Sequence, residues 1–343
     1  MRSSRVAVVG DDVLTLAVAR HLAGSLAGVV VHPPPGTTEV AHRFTHLRLL
    51  DQDAQRVARE RHALDLWRAL EHETGVRVTA PSHAVDVGPE STVAAVLHAG
   101  HPDLPARALS PVEATREWPS IRFAGAVALQ PAAVRIDVAR AREALLRAAA
   151  GRGVLIGAPA SRVRRVASGD VEVATDAARH RYDATIVVAD PAARTALAGR
   201  PGAVRQGTVL TVDTIGPIRH WPSVRHHRGL PADFDGYLLG GAQADFAGER
   251  VRLALTGGPV APDEAAARLW EYAARWLPGT IVGTARVRTE DQAPARLDTS
   301  LGRLAVTSPL GSGQRELAPL VAAELARQLL QSIAIDYETE HAS

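Results

Sequence analysis

Apolar positions from Val6 to Val9 form a short continuous run, which predicts a strand. Gly10 breaks the run, and apolar residues then recur at helical spacing from Leu14 to Ala23. A second run, Val29 to Val31, completes a β-α-β unit before PPPG (33–36) ends regular structure. A long helix is predicted over about 54–74, with Leu64, Trp67 and Leu70 on one face and Gly75 as its stop. Short strands with turn signals follow over about 76–98, including HAVDVGPE.

LSPVEATREWPSI (109–121) reads as a short capped helix ended by Pro119. Next come a short strand, a loop, a helix from about Asp137 to Ala150, a glycine stop and strand Val154 to Ile156. The arginine-rich stretch from Arg162 onward reads as a β-meander ending in the apolar strand Ala184 to Val188. Residues 204–257 are strand-rich, and a helix follows from about Pro262 to Trp276. The chain closes as a strand, a glycine loop and a long helix, and its last dozen residues read as a polar tail. Nucleotide-type elements thus come first, a β-rich block sits in the middle, and a strand–loop–helix returns at the end. This order predicts two interleaved domains. One comprises 1–75, 137–200 and 296–332, the other 76–136 and 201–295, with a tail at 333–343.

Composition narrows the chemistry. The 343 residues, 46% hydrophobic and 22% charged, suit a soluble globular protein. No apolar run approaches the roughly 20 residues that span a bilayer. MRSSRVAVVG enters a strand directly without a signal-peptide core, so a cytoplasmic protein is expected. There are no cysteines, which excludes disulfides, thiolate nucleophiles and Cys-ligated zinc. Lysine is also absent, so all 39 basic residues are arginine and no Lys Schiff base is available. The formal net charge is only +2. The densest basic cluster, SRVRRV (161–166), reads as a solvated strand edge rather than a nucleic-acid surface. Neither a G-x-S-x-G elbow, a P-loop nor an HExxH pair occurs.

Several segments, in this order, carry a family resemblance: the N-terminal βαβ unit, TTEVAHRFTHLRLL, ALDLWRALEHETGVRV, EATREWPSI, ALQPAAVRIDVARAREALLRAAAGRGV, RYDATIVVAD, DGYLLGGAQADFAGERVRLALTGGPVAPDE and PLGSGQRELAPLVAAELARQLL. The chain resembles the FAD-dependent D-amino acid oxidase/glycine oxidase superfamily, and within it the monomeric sarcosine oxidase group, from about residue 5 to 330. The resemblance implies an α/β fold in which a Rossmann-like FAD-binding domain is interleaved with an antiparallel-sheet substrate domain. It implies hydride transfer from a substrate C–N bond to FAD. The FAD must be noncovalent, because no cysteine can link it.

The cofactor motifs depart from the family pattern. The turn after the first strand should read G-x-G-x-x-G, whose glycines allow a tight turn and close approach of backbone to the pyrophosphate. Gly10 survives, but Asp12 and Thr15 stand in the second and third glycine positions. A carboxylate at Asp12, or at Asp11, would face the pyrophosphate and oppose the helix dipole. The acid expected at the end of the second strand, which binds ribose, is replaced by His32 and Pro33. The A-x-G-x-W-like turn after IVVA reads ADPAART, with Asp190 and Pro191 in place of small residues. Three altered contacts imply that FAD is either lost or held differently. Without a phosphate, Asp11 or Asp12 can instead cap the helix that follows.

The resemblance implies cofactor contacts at Gly10, Asp11, Asp12, Val13, Leu14, His32, Arg43, Val163, Ala189, Gly311, Ser312, Gly313 and Gln314. Arg43 falls where the family has an arginine near flavin and substrate, followed closely by His46 and Arg48; its alternative is an ion pair with Glu39 or Asp51. GSGQR (311–315) matches the glycine loop beside the flavin, and its backbone amides suit an anion. Arg315 falls where the family places a lysine that assists oxygen; it keeps the charge but cannot act as a base. Tyr237 lies in the strand expected to roof the substrate. The expected catalytic set is therefore Arg43, His46, Arg315 and Tyr237.

RHWPSVRHHRG (219–229) brings together His220, His226 and His227, but its spacing matches no zinc motif, and adjacent strand histidines point to opposite faces, so no metal is expected. Glu290, Asp291 and Gln292 sit beneath the expected flavin, where a carboxylate could serve as base in a non-redox descendant. The expected ligand is an amine or amino-acid-like small molecule, neither nucleic acid nor membrane. A homodimer or a flavoprotein partner is compatible with the pattern. The alternatives to a flavin oxidoreductase are a flavin-free descendant catalysing a non-redox step and a non-catalytic subunit.

Overall fold

The first apolar run, β1, leads into a helix capped by Asp12. The computed structural model describes residues 4–35, 44–100, 103–189, 191–199, 206–214, 221–227, 242–247, 250–255, 261–278, 281–291, 298–301, 303–310 and 314–341. The chain begins β1 (Arg5–Val9), α1 (Val13–Ala23), β2 (Gly28–His32), β3 (Phe44–Leu47), α2 (Ala54–Thr74), β4 (Thr79–Pro81) and β5 (Ala84–Gly88). It continues α3 (Glu90–His98), β6 (Arg107–Leu109), α4 (Pro111–Glu117), β7 (Ala126–Gln130), β8 (Val134–Asp137) and α5 (Val138–Gly151). Five strands follow, β9 (Leu155–Ile156), β10 (Ala160–Arg165), β11 (Val171–Thr175), β12 (Arg179–Tyr182) and β13 (Ala184–Val188), then α6 (Pro191–Ala198). Next are β14 (Gln206–Thr214), β15 (Ser223–His226), β16 (Ala242–Ala247), β17 (Arg250–Leu255) and α7 (Pro262–Trp276). The last elements are β18 (Ile281–Asp291), β19 (Asp298–Leu301), β20 (Leu304–Thr307), a 3-10 turn (Arg315–Leu317) and α8 (Ala318–His341).

Two large sheets organise the molecule. The first has the order β19-β20-β13-β1-β2-β9, parallel except for β19. Its inner strands β1, β2, β13 and β20 are largely apolar runs because both of their faces are covered. Residues of α1, α2, α5 and α8 pack on one face, while Val163, Val171, Val173 and Tyr182 of the β10-β11-β12 sheet pack on the other. The second sheet has the order β18-β14-β17-β16-β15-β5-β7-β6. There the period-2 rule separates the faces. Val85, Val87, Leu210, Val212, Val224, Val251 and Leu253 pack against Leu269, Tyr272 and Trp276 of α7. The opposite face carries Asp86, Arg225 and Arg252, all buried. A small sheet, β3-β8-β4, completes the set.

Local chemistry accounts for the helix ends. Asp53 caps α2 by accepting from the Gln55 amide, and Gly75, in left-handed geometry (φ 70°), ends it. Ser110 and Glu113 form a reciprocal capping box on α4, with Pro111 in its first turn. SRVRRV lies largely in β10 with exposed arginines, and Arg164 pairs with Glu172 on β11.

Two expectations need correction. Residues 76–98 hold only two short strands, and Glu90–His98 is a helix, not a strand. Val93 and Val96 are its buried positions, a helical spacing that the preceding strand pattern masked. The expected polar tail at 333–343 is helical through His341, because α8 runs on past its apolar part.

Candidate functional site

The turn between β1 and α1 is shaped by one glycine. Gly10 has φ 153°, and a Cβ there would lie 2.3 Å from Thr15 Oγ1 and 2.7 Å from the Val188 carbonyl oxygen. Its amide donates to the His32 carbonyl at 2.9 Å, which ties the turn to the end of β2. Asp12 caps α1: its Oδ1 accepts from the Thr15 amide at 2.8 Å and from the Thr15 hydroxyl at 2.7 Å. Burial raises the Asp12 pKa above the usual carboxylate range, against the two Thr15 hydrogen bonds and nearby Arg315, while Asp11 adds to the rise. Arg142 of α5 donates to the Asp11 carbonyl at 3.4 Å.

Helix starts leave their first amides unpaired. Among the described residues, the Val13 and Leu14 amides make no hydrogen bond, and the buried Nη1 of Arg315 has no partner. Orphaned donors of this kind call for an acceptor. Two amides at a helix N-terminus with a guanidinium nearby fit a phosphate-bearing group. The pyrophosphate end of FAD therefore fits the turn, although Asp12 sits beside it.

The end of β2 is different. His32 is fully buried, with Nδ1 2.7 Å from the Ala158 carbonyl oxygen and Nε2 2.7 Å from the Tyr182 hydroxyl. Gly157 makes this possible, since a Cβ there would lie 2.5 Å from the imidazole. Burial lowers the His32 pKa. Both ring nitrogens are held by protein, so His32 does not replace the ribose-binding acid that the family pattern asks for. Val163 is a buried core residue of β10, and the Ala189 amide donates to the Thr307 carbonyl at 3.2 Å.

A second polar region lies between β3, the start of α8 and the eight-stranded sheet. His46 is buried on β3, in register with Arg135 of β8. Beside it, Thr45 Oγ1 donates to Glu316 Oε2 at 2.5 Å, and Trp67 Nε1 donates to the Glu316 carbonyl at 2.7 Å. Burial pushes the Glu316 carboxyl up to about 7, against the Thr45 hydrogen bond. Arg48 is buried and donates to the Ser223 carbonyl (2.7 Å), Ser223 Oγ (2.5 Å), the Val85 carbonyl (2.9 Å) and Asp86 Oδ2 (2.5 Å).

Asp86 also meets His227 Nε2 at 2.5 Å, and Arg225 bonds Asp51 at 2.7 Å. Burial would raise the Asp86 carboxyl, but Arg48, Arg225 and His227 outweigh it and hold the group well below its usual range. His226 turns to the other face, bonding the Tyr272 hydroxyl at 2.7 Å, and burial pushes it down to about 3.

Of the expected catalytic set, His46 and Arg315 are described, and they lie beside Thr45 and Asp12 respectively. Arg43, Tyr237, Gly311, Ser312 and Gly313 lie outside the described residues, as do His220, Asp190 and Gln292. Gln314 precedes the 3-10 turn, and its carbonyl accepts from the Leu317 amide. Glu290 and Asp291 lie in β18, in register with Gly207 and Gln206. Among the described residues there is no cluster of three metal-ligating side chains and no helix long and apolar enough to cross a membrane. Glu316 and Asp86 were not among the residues singled out in the sequence, whereas Arg225 and His227 fall within RHWPSVRHHRG. Ser223, Arg225 and His227 alternate along one strand, a period-2 polar pattern that marks one shared face.

The model of the FAD dependent oxidoreductase family matches residues 5–298. The chain belongs to this family. Solved structures agree in fold along nearly the whole chain. L-proline dehydrogenase from P. horikoshii is 14% identical, with TM-score 0.69 over 96% of this chain and 94% of that one. NikD, an unusual amino acid oxidase essential for nikkomycin biosynthesis, is 19% identical, with TM-score 0.67 over 95% and 94%. Iminodiacetate oxidase from Chelativorans sp. BNC1 is 17% identical, with TM-score 0.68 over 94% of each chain. No curated protein matches the chain. In this FAD dependent oxidoreductase, then, the β1–α1 turn keeps unpaired donors, while the His32 ring at the end of β2 is held by Ala158 and Tyr182.

Proposed function

We propose that the protein oxidises the C–N bond of an amine or amino-acid-like substrate, using noncovalently held FAD. The single observation carrying this reading is the set of unpaired donors at the β1–α1 turn, Val13, Leu14 and Arg315, in a chain of the FAD dependent oxidoreductase family. Likeness to structures named as amino acid oxidases and dehydrogenases supports the substrate class. When bound, FAD supplies the hydride acceptor.

The chain's own residues would do the rest. The Gly10 turn and the Val13 and Leu14 amides would hold the pyrophosphate, with Arg315 offsetting its charge. Gly311, Ser312, Gly313 and Gln314 would approach the flavin, and Arg43 and Tyr237 would orient the substrate with His46 nearby. On the eight-stranded sheet, Asp86 holds the His227 ring by Nε2. With Nε2–H donated to that carboxylate, Nδ1 is left as the proton-accepting atom. A substrate ammonium must lose a proton before its C–H bond can yield a hydride, and His227 would accept it where the Asp86 face of the eight-stranded sheet meets the substrate. The ligand is a dissolved small molecule in the cytoplasm, and a homodimer is compatible with the reading.

Purification followed by a visible absorption spectrum, before and after FAD addition, tests the proposal. A flavin spectrum retained through gel filtration supports it. Colourless protein that takes up no FAD overturns it. One observation favours a second reading, a flavin-free descendant or non-catalytic subunit: Asp12 and His32 are already bonded within the protein where cofactor contacts are expected. Colourless protein that turns over a substrate, or that co-purifies with an active flavoprotein, would select it.

A further inference from the structure

The β1–α1 turn carries an anion where a second anion has to bind. Asp12 is half-buried at the N-terminus of the eleven-residue α1, and its Oδ1 already takes the Thr15 amide and hydroxyl. The amides left over belong to Val13 and Leu14, the next two residues. A pyrophosphate accepting from them would lie against the Asp12 carboxylate.

The charges around the turn do not cancel. Asp11 and Asp12 contribute two negative charges, and a pyrophosphate diester brings two more. Among the described residues, the cations facing this region are Arg315, from the turn before α8, and Arg142 of α5, which bonds the Asp11 carbonyl. From β2, His32 presents its backbone carbonyl to Gly10, and its ring is turned to Tyr182 and Ala158. From the turn before α8, Glu316 faces Thr45 of β3. Among the described residues, two cations thus meet four anionic charges, and at the half-buried Asp12 like-charge repulsion is screened less than in open solvent.

We propose that Asp12 sets the affinity of this turn for FAD, and that binding FAD adds a proton to Asp12. This rests on the flavin reading above. A protonated Asp12 keeps its carbonyl oxygen as acceptor for Thr15, so the helix cap survives. Its new O–H can donate to a phosphate oxygen, turning a repulsion into a hydrogen bond. Desolvation already raises the Asp12 pKa in the free protein, so the added proton is easier to hold there than on an ordinary carboxylate. A nearby phosphate pushes in the same direction.

The experiment is a titration of full-length wild-type and Asp12→Asn protein with FAD, followed by quenching of flavin fluorescence between pH 5.5 and 8.5. The pyrophosphate diester itself does not titrate there. For uptake of one proton, the wild-type Kd rises by up to about tenfold per pH unit above the pKa of free Asp12. Asp12→Asn, which keeps a good cap, binds tighter at pH 8.5 by at least about tenfold, and its Kd is flat with pH. Asp12→Ser, also a good cap, gives the same flat profile and guards against a peculiarity of the amide. Glu316 also titrates near this range, but a slope due to it persists in Asp12→Asn. FAD binding with the same pH slope and affinity in wild type and both variants overturns the inference and leaves the flavin reading standing. No FAD binding by any of the three proteins at pH 5.5 overturns both. Binding by the variants alone supports the inference.

Discussion

The β1–α1 turn holds a half-buried charge and the Arg48–Asp86 cluster fully buried ones, and they satisfy them over different sequence distances. Asp12 finds its partner three residues away at Thr15. Asp86 is held by Arg48, 38 residues away, and by His227, 141 residues away, while Arg225 reaches back 174 residues to Asp51. A local cap forms with its helix and is easily replaced by another capping residue. A cluster assembled from β3, β5 and β15 exists only once the eight-stranded sheet and β3 have come together. Stability should therefore be concentrated in the second region and replaceability in the first.

The largest effect tests that claim directly. Asp86→Ala strands Arg48 beside apolar strands and removes the carboxylate that Arg225 and His227 face. Loss of one partner from a buried ion pair costs about 3–5 kcal/mol. Urea denaturation of the variant should show a loss of this order with an unchanged m-value. A loss near 1 kcal/mol would place the two regions on an equal footing.

Glu316 sharpens the comparison through pH. Its carboxyl is raised from 4.5 to about 7 in the fold. Between these values the unfolded chain ionises while the folded chain stays neutral, so ionisation favours unfolding. The group's contribution is thus complete below pH 4.5 and is lost as pH rises toward 7, by about 3 kcal/mol in all. Glu316→Gln cannot ionise. The wild-type stability measured against this variant should fall by about 2–3 kcal/mol from pH 5 to pH 8. A constant difference across that range would mean that Glu316 is not held neutral.

His32 belongs with the long-range region, with one partner 126 residues away on the β9–β10 connection and one 150 residues away on β12. His32→Ala leaves the Tyr182 hydroxyl and the Ala158 carbonyl without the ring and opens a void beside Gly157. The expected cost is about 2 kcal/mol, read as a lowered urea midpoint. If the void admits the adenosine end, FAD affinity rises even as stability falls, and a paired FAD titration separates the two effects.

The same contrast explains what could be read along the chain. The parallel sheet was legible because Val6–Val9, Val29–Val31 and Ala184–Val188 are unbroken apolar runs, and buried parallel strands have that signature. The capping role open to Asp12 was legible because a cap and its partner lie within one turn. Glu90–His98 was misread because HAVDVGPE supplies a strand pattern just before it. Arg48, Asp86 and Glu316 could not be paired from spacing, since each bond joins elements whose adjacency is a property of the fold. Likewise, nothing in the string VVVHPPPG says that Gly157 makes room for an imidazole. Such close approaches depend on backbone geometry more than a hundred residues away.

The smallest expected effect is at Asp12, and it separates cap from charge. Asp12→Ala removes the acceptor for the Thr15 amide and should cost about 1 kcal/mol. Asp12→Asn keeps an acceptor and drops the charge. Because burial raises the Asp12 pKa, the folded state favours the neutral form, and the ionised form loses stability as pH climbs through the group's unfolded value. At pH 8 the asparagine variant should therefore match or exceed the wild type in urea midpoint, while the alanine variant falls below it. An asparagine variant as unstable as the alanine one would show that the carboxylate charge itself supports α1. The turn would then resemble the Asp86 cluster, in which the ionised form is the stable one.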